Sequence, residues 1–253
     1  MEYVILTALG VGGASVVGAL LGFLIKNPSH KLSDIILSFA AGVMLCAATV
    51  GLIIPAADSA TGSLTGTVVV ILGVIAGAVV IRLIDKMVPH LHKLAGVDIE
   101  KHPDKTAELN KVLLFVIAIA IHNLPEGIAA GVGFGSDNIT DAFMIAGGIA
   151  LQNIPEGMVI IAPMLATGMS KKRAFVIAVF TGFIEVVGTF LGYFAVGVSD
   201  AILPFALAFA GGTMLYVISD EMIPETHAHG NETQATFALI AGFCIMLIID
   251  ILL

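Results

Sequence analysis

Two short stretches of this sequence put polar side chains where little else is polar. "HNLPEG" covers His122–Gly127, and "QNIPEG" covers Gln152–Gly157, 30 residues further on. Each gathers an imidazole or amide, a second amide, a proline and a carboxylate within six residues. In a helix, residues i and i+4 share a face, so His122 points with Glu126 and Gln152 with Glu156. Asn123 and Asn153 stand about 100° round the axis, on an adjoining face. Pro125 and Pro155 have no N–H to donate and crowd the carbonyl one turn earlier, which predicts kinks and freed carbonyl oxygens at Ile121 and Leu151. Gly127 and Gly157 are expected to add flexibility beside each kink. A third acid, Glu185 in "TGFIEVVGT", has Gly182 and Gly188 three residues to either side, a bare strip for close helix approach. Imidazole, amide, carboxylate and loosened backbone oxygen at one depth form a set of cation ligands.

The elements that must position them are membrane-spanning. Only 12% of the 253 residues are charged and 58% are hydrophobic, where soluble domains carry about 25% charged residues. A spanning helix needs about 20 mostly apolar residues. Eight windows qualify, near Tyr3–Ile25, Ile35–Ala57, Leu64–Ile84, Val112–Phe134, Ala142–Leu165, Ala174–Val196, Ala201–Ile218 and Ala235–Leu253. The expectation is one all-α, polytopic membrane domain over residues 1–253, with proline-kinked spans 4 and 5. The first window opens on the acidic "MEYV" and outruns the roughly 7–15 residues of a signal-peptide core, so it reads as a retained helix.

Orientation follows from the basic residues. Lys26 and Lys31 lie between spans 1 and 2. Arg82, Lys86, Lys93, Lys101, Lys105 and Lys111 lie between spans 3 and 4 or at their ends, and Lys171, Lys172 and Arg173 between spans 5 and 6. With eight spans, all 11 fall on one side. That side is expected to be cytoplasmic and both termini outside. The longest loop, about 85–111, is then cytoplasmic and carries His90, His92 and His102. Cys46 and Cys244 read as small packing residues, as do Met44, Met158 and Met164.

Depth gives the polar motifs their meaning. An ionised acid at mid-membrane costs about 2.5–3.5 kcal/mol by insertion scales, and no Lys or Arg lies within spans 4 to 6 to offset three of them. A divalent cation is the natural partner: three carboxylates leave a charge of about −1 around one such ion and about +1 around two. A lone proline, glycine, histidine or buried acid would more readily be structural. A duplicated motif on antiparallel neighbours, joined by a third acid, matches the midplane sites of secondary transporters.

At "HNLPEG", "QNIPEG", "GFIEVVG" and "SDEMIPETH", with "LIDKMVPHLH" before the long loop, the chain resembles the ZIP (Zrt/Irt-like protein) family of divalent metal transporters, particularly its short bacterial GufA-type branch. The resemblance covers essentially the whole chain. It implies that His122, Asn123, Glu126, Gln152, Asn153, Glu156 and Glu185 are metal ligands, with Glu126 and Glu156 able to bridge two ions. Many members carry His where this chain has Gln152, and some Asp where it has Asn153. Asp85, His90, His92, Asp220, Glu221 and His227 match positions that guide metal out on the cytoplasmic side, although a solvated polar loop accounts for them equally well. The family also implies a homodimer within membrane lipid, and an elevator-like movement of a helix group past a fixed scaffold.

The expected function is uptake of a divalent transition metal, Zn²⁺ first and Fe²⁺, Mn²⁺, Co²⁺ or Cd²⁺ as alternatives, across a bacterial plasma membrane. No phosphate loop ending in Gly-Lys-Ser/Thr is present, so direct driving by ATP is not expected; a nucleic-acid partner is not expected either. An intramembrane metalloenzyme is the rival from another class. His-Glu-x-x-His is absent and no activated nucleophile is evident, so the chain is not expected to be an enzyme. A metal sensor that binds without translocating is a third reading.

Overall fold

The computed structural model describes residues 1–25, 29–60, 63–87, 123–135, 139–166, 169–197 and 202–252. Within them every regular element is helical, and seven helices are long and apolar enough to cross a membrane. In chain order these are α1 (Glu2–Gly22), α2 (His30–Ser59), α3 (Leu64–Met87), α5 (Ile139–Ala166), α6 (Lys171–Val196), α7 (Leu203–Thr226) and α8 (Glu232–Leu252). They answer to seven of the eight apolar windows. The remaining window, Val112–Phe134, is described only in its second half, where residues 123–132 form a helix, α4. His90, His92 and His122 lie outside the described residues, and of Asp85 only the backbone, within α3, is described.

Serines cap the starts of two helices. The Ser29 hydroxyl accepts from the Leu32 amide at 3.2 Å and that of Ser170 from the Arg173 amide at 3.4 Å, each satisfying a first-turn N–H. Prolines act in two ways. α5 runs α-helically through Pro155. In α2 and α7, by contrast, π-helical stretches at Ala47–Ile53 and Ile218–Met222 stand just ahead of Pro55 and Pro224. A wider turn makes room for a ring that would crowd the preceding carbonyl. The apolar periodicity gave no warning of these two turns.

Glycine contacts divide the bundle. α1 packs chiefly on α5 and α6, while α3 packs on α7, and α2 on α8. A Cβ at Gly12 would collide with the Gly182 carbonyl of α6, and one at Gly18 with the Ile154 carbonyl of α5. Gly131 and Gly192 press on the backbone between α4 and α6 in the same manner. These contacts bind α1, α4, α5 and α6 into one unit, backbone on backbone. The second unit is built alike, with Gly42 and Gly242 between α2 and α8, and Gly77 and Gly212 between α3 and α7. Between the units the glycines meet side chains instead: Gly148 faces Met246, and Gly51 faces Ile145. Small residues let helices approach closely where lipid offers no hydrophobic gain. The outer surface, including Leu6, Leu9, Ile71, Ile75, Phe183, Phe237 and Ile248, is apolar and exposed.

Met44 and Met164 are buried in the core, and the cysteines are free, Cys46 buried and Cys244 exposed.

Candidate metal-binding site

The first unit encloses the polar motifs. α4 carries Asn123 and Glu126, α5 carries Gln152, Asn153 and Glu156, α6 carries Glu185, and α1 closes the fourth side. Glu126 is 1% exposed, while Gln152 and Glu185 are fully buried. The i and i+4 geometry holds for Gln152 and Glu156 on the continuous α5, and the two asparagines turn toward α6 as their adjoining face requires. Gly127 and Gly157 serve differently from the flexibility expected of them. A Cβ at Gly127 would strike the Glu185 carbonyl, and one at Gly157 the Ser15 carbonyl, so both glycines are close-approach positions. Gly182 and Gly188 do the same for α6, against α1 and α4, which is the bare strip expected around Glu185.

A carboxylate can only accept, so it dictates how a neighbouring amide must face. Gln152 Nε2 donates to Glu126 Oε1 at 2.8 Å. Asn153 Nδ2 donates to Glu185 Oε2 at 2.6 Å and reaches the Val11 carbonyl at 3.2 Å. Asn123 Nδ2 donates to Glu185 Oε1, which also accepts from the Ser15 hydroxyl at 2.6 Å. Each amide thus directs its N–H group to an acid and is left with its oxygen. Glu126 Oε2, Gln152 Oε1 and Asn153 Oδ1 are buried with no hydrogen-bond partner among the described residues. Buried polar atoms are almost always satisfied, and these three are all acceptors. Glu156 lies half-buried, near enough to both Glu126 and Glu185 for their charges to interact. Among the described residues, no three of His, Cys, Asp and Glu could together hold one ion. Among the described residues, the amide oxygens of Gln152 and Asn153 stand beside Glu126 as further acceptors, a donor type that suits hard and borderline cations.

A cavity of about 420 Å³ lies behind Pro125, between the two units. Its lining, including Val80, Ile81, Phe209 and Ala210, offers no charged group. It is not a cation site.

A family model described as ZIP zinc transporter matches residues 89–250, a stretch that includes both motifs and Glu185. The chain belongs to the ZIP family. Among its relatives, the zinc transporter GufA of Myxococcus xanthus is 42% identical over 178 residues, 70% of this chain and 68% of that one. The zinc transporter ZIPB of Bordetella bronchiseptica is 36% identical over 266 residues, covering 98% and 80%. The zinc transporter ZupT of Chlorobaculum parvum is 34% identical over 246 residues, covering 93% and 91%. This ZIP protein is accordingly a multi-pass membrane transporter and not an enzyme.

The residues expected on the cytoplasmic side are less gathered in this ZIP protein. Asp220 is exposed and accepts from the Tyr216 hydroxyl at 3.1 Å, with Glu221 half-buried next to it in the π-helical turn. His227 directs Nδ1 to the Ile223 carbonyl at 2.8 Å and Nε2 to the Thr236 hydroxyl at 3.1 Å, so both ring nitrogens are engaged.

Sequence reasoning missed a cluster close by. Asp34, 3% exposed, takes His229 Nδ1 at 3.0 Å on one oxygen and Asn231 Nδ2 at 2.9 Å on the other. Gly230, at φ 78, makes the left-handed turn between these two partners. His30 stacks on His229 with centroids 4.6 Å apart and planes 25° from parallel. Ring lone pairs lie in the ring planes, so stacked imidazoles do not aim at one ion. The cluster fastens the start of α2 to the α7–α8 connection. Asp34→Ala is expected to cost about 1–3 kcal/mol, the worth of hydrogen bonds to a charged group. A lowered unfolding temperature in detergent, with uptake retained at permissive temperature, is the check.

Proposed function

We propose that this protein takes up a divalent transition metal, zinc first, across the plasma membrane and into the cytoplasm, through the pocket between α1, α4, α5 and α6. The observation that carries the reading is the set of buried acceptors on Glu126, Gln152 and Asn153, left over once each amide NH₂ group has donated to an acid. A positive ion suits a group made of acceptors alone. Glu156 brings a second carboxylate, and His122 and Asn123 complete the ligand set by family resemblance. Glu185 is the third acid of the pocket. Relatives named as zinc transporters support zinc as the substrate. The same oxygens suit Fe²⁺, Mn²⁺, Co²⁺ and Cd²⁺, because the affinity order gives no sharp choice without thiolate.

Inward transport with both termini outside rests on the one-sided placement of all 11 basic residues. Movement of one helix unit past the other is supported by their construction: backbone contacts within each, side-chain contacts between them. Association as a homodimer comes from the family resemblance. Asp220, Glu221 and His227, with Asp85, His90 and His92, serve as a looser cytoplasmic exit.

Zinc flux into proteoliposomes, read with an internal fluorescent chelator, tests the proposal. Saturable entry supports it. Binding without entry would favour the sensor reading and overturn transport. A further expectation concerns preference. Gln152→His replaces an amide oxygen by an imidazole nitrogen, so uptake from mixed Zn²⁺, Mn²⁺ and Fe²⁺ should shift toward Zn²⁺. Unchanged proportions would remove Gln152 from the ligand set.

A further inference from the structure

The cavity behind Pro125 has no part in the metal pocket, and its walls define what fits it. It lies between the two units, with α3 and α6 as its banks and α4 and α7 as its floor. On α3 the bank is formed by Val80 and Ile84, both exposed. On α6 it is Ile184, which shares a helix face with the exposed Phe180 and Val187. Both banks therefore continue the apolar outer surface that meets lipid. The floor is Pro125 and Ile128 of α4 with Ala210 and Thr213 of α7. Proline has no N–H to offer, and the Thr213 hydroxyl donates to the Ala210 carbonyl at 2.7 Å, within its own helix. These side chains leave no donor free for a polar guest.

We propose that this cavity holds an acyl chain of a bilayer phospholipid. An unfilled void of about 420 Å³ would leave its lining without contacts on one side, and water gains little where nothing donates to it. Membrane tails stand at the open side and enter without crossing a polar group. Depth fits as well. Ile84 ends the membrane-spanning stretch of α3, whereas Pro125 belongs to the motif near the middle of its own window. The cavity thus follows a single leaflet from near its polar boundary toward the bilayer middle, the course of one acyl chain. With a methylene about as large as a water molecule, roughly 30 Å³, the space takes on the order of ten of them. On the α5 side the two units meet through the side chains of Met246 and Ile145. On the opposite side they meet through a lipid tail.

The test uses the whole protein in detergent-free bilayers of a phosphatidylcholine that carries a photoactivatable diazirine halfway along one tail. After illumination the adducts are mapped by mass spectrometry. Adducts with the mass of the intact phospholipid are expected at Pro125 and Ile128 on the floor, besides those on outer residues such as Phe237. Ala210→Phe fills the cavity from α7, and should abolish the floor adducts while leaving those at Phe237 unchanged. Should that variant fail to insert, Thr213→Leu occupies part of the same space one turn further on and should reduce them. Wild-type adducts confined to the outer surface overturn the proposal. Floor adducts that persist undiminished in the filled variants overturn it as well, because the label then reaches α4 by another route. The labelling involves no metal, so its outcome is independent of the transport reading.

Discussion

Glu126→Gln is expected to lower metal uptake at least about 100-fold while the protein still inserts and folds. The substitution keeps size and shape, so the helix packing around Gly127 is not disturbed. It changes what faces the pocket. In the wild type Glu126 Oε1 accepts from Gln152 and Oε2 remains as a buried acceptor. In the variant the new amide oxygen takes over the bond from Gln152, and its NH₂ then stands where Oε2 was. Should Gln152 turn round instead, its own NH₂ enters the pocket. Either way a donor replaces an acceptor and one negative charge is gone, and both changes repel a cation. The measurement is zinc flux per inserted molecule, with folding followed by the thermal unfolding profile. Near-normal flux from well-folded protein would remove Glu126 from the transport site.

The other large effect concerns packing. Gly127→Ala places a methyl group against the Glu185 carbonyl, and backbone on both sides prevents either partner from yielding cheaply. Overpacking of this kind costs about 1–3 kcal/mol or more. It also pushes α4 away from α6, and Asn123 with it from Glu185. Folded yield and uptake should fall together. Gly147→Ala is the matched control, because nothing stands within 4 Å of a Cβ there. In that exposed part of α5, alanine should hold or raise stability by about 0.5–1 kcal/mol through helix propensity. The comparison is read as the difference in unfolding temperature between the two variants. Equal tolerance at both positions would contradict the close approach of α4 and α6.

The architecture was legible because lipid imposes a simple rule. A run of apolar residues of spanning length has few alternatives, and seven such runs are helices here. The paired motifs were legible because acids and amides at that depth have few bland uses. The missing parts share a different character. Ser15 looks like any small residue in a glycine-rich helix, and only its bond to Glu185, 170 positions away, gives it a role. Asp34 and His229 are separated by 195 positions, and no local pattern joins them. Gly127 beside Pro125 suggested a hinge, whereas the space it fills is set by α6. The π-helical turns could have been suspected from Pro55, inside an apolar window, and Pro224, shortly after one, since each ring needs relief on its upstream side.

The way the glycines are used also governs which sequence changes this molecule can absorb. Where Gly12, Gly18, Gly131 or Gly192 presses on a neighbour's peptide group, any larger residue is excluded outright, and evolution has little to work with. Along the seam where Gly148 meets Met246 and Gly51 meets Ile145, the opposing groups are flexible tips that repack around a newcomer. Drift in sequence should therefore accumulate at the seam and stall inside each half, where a larger residue would force neighbouring helices apart and, in the first unit, pull the polar side chains from one another.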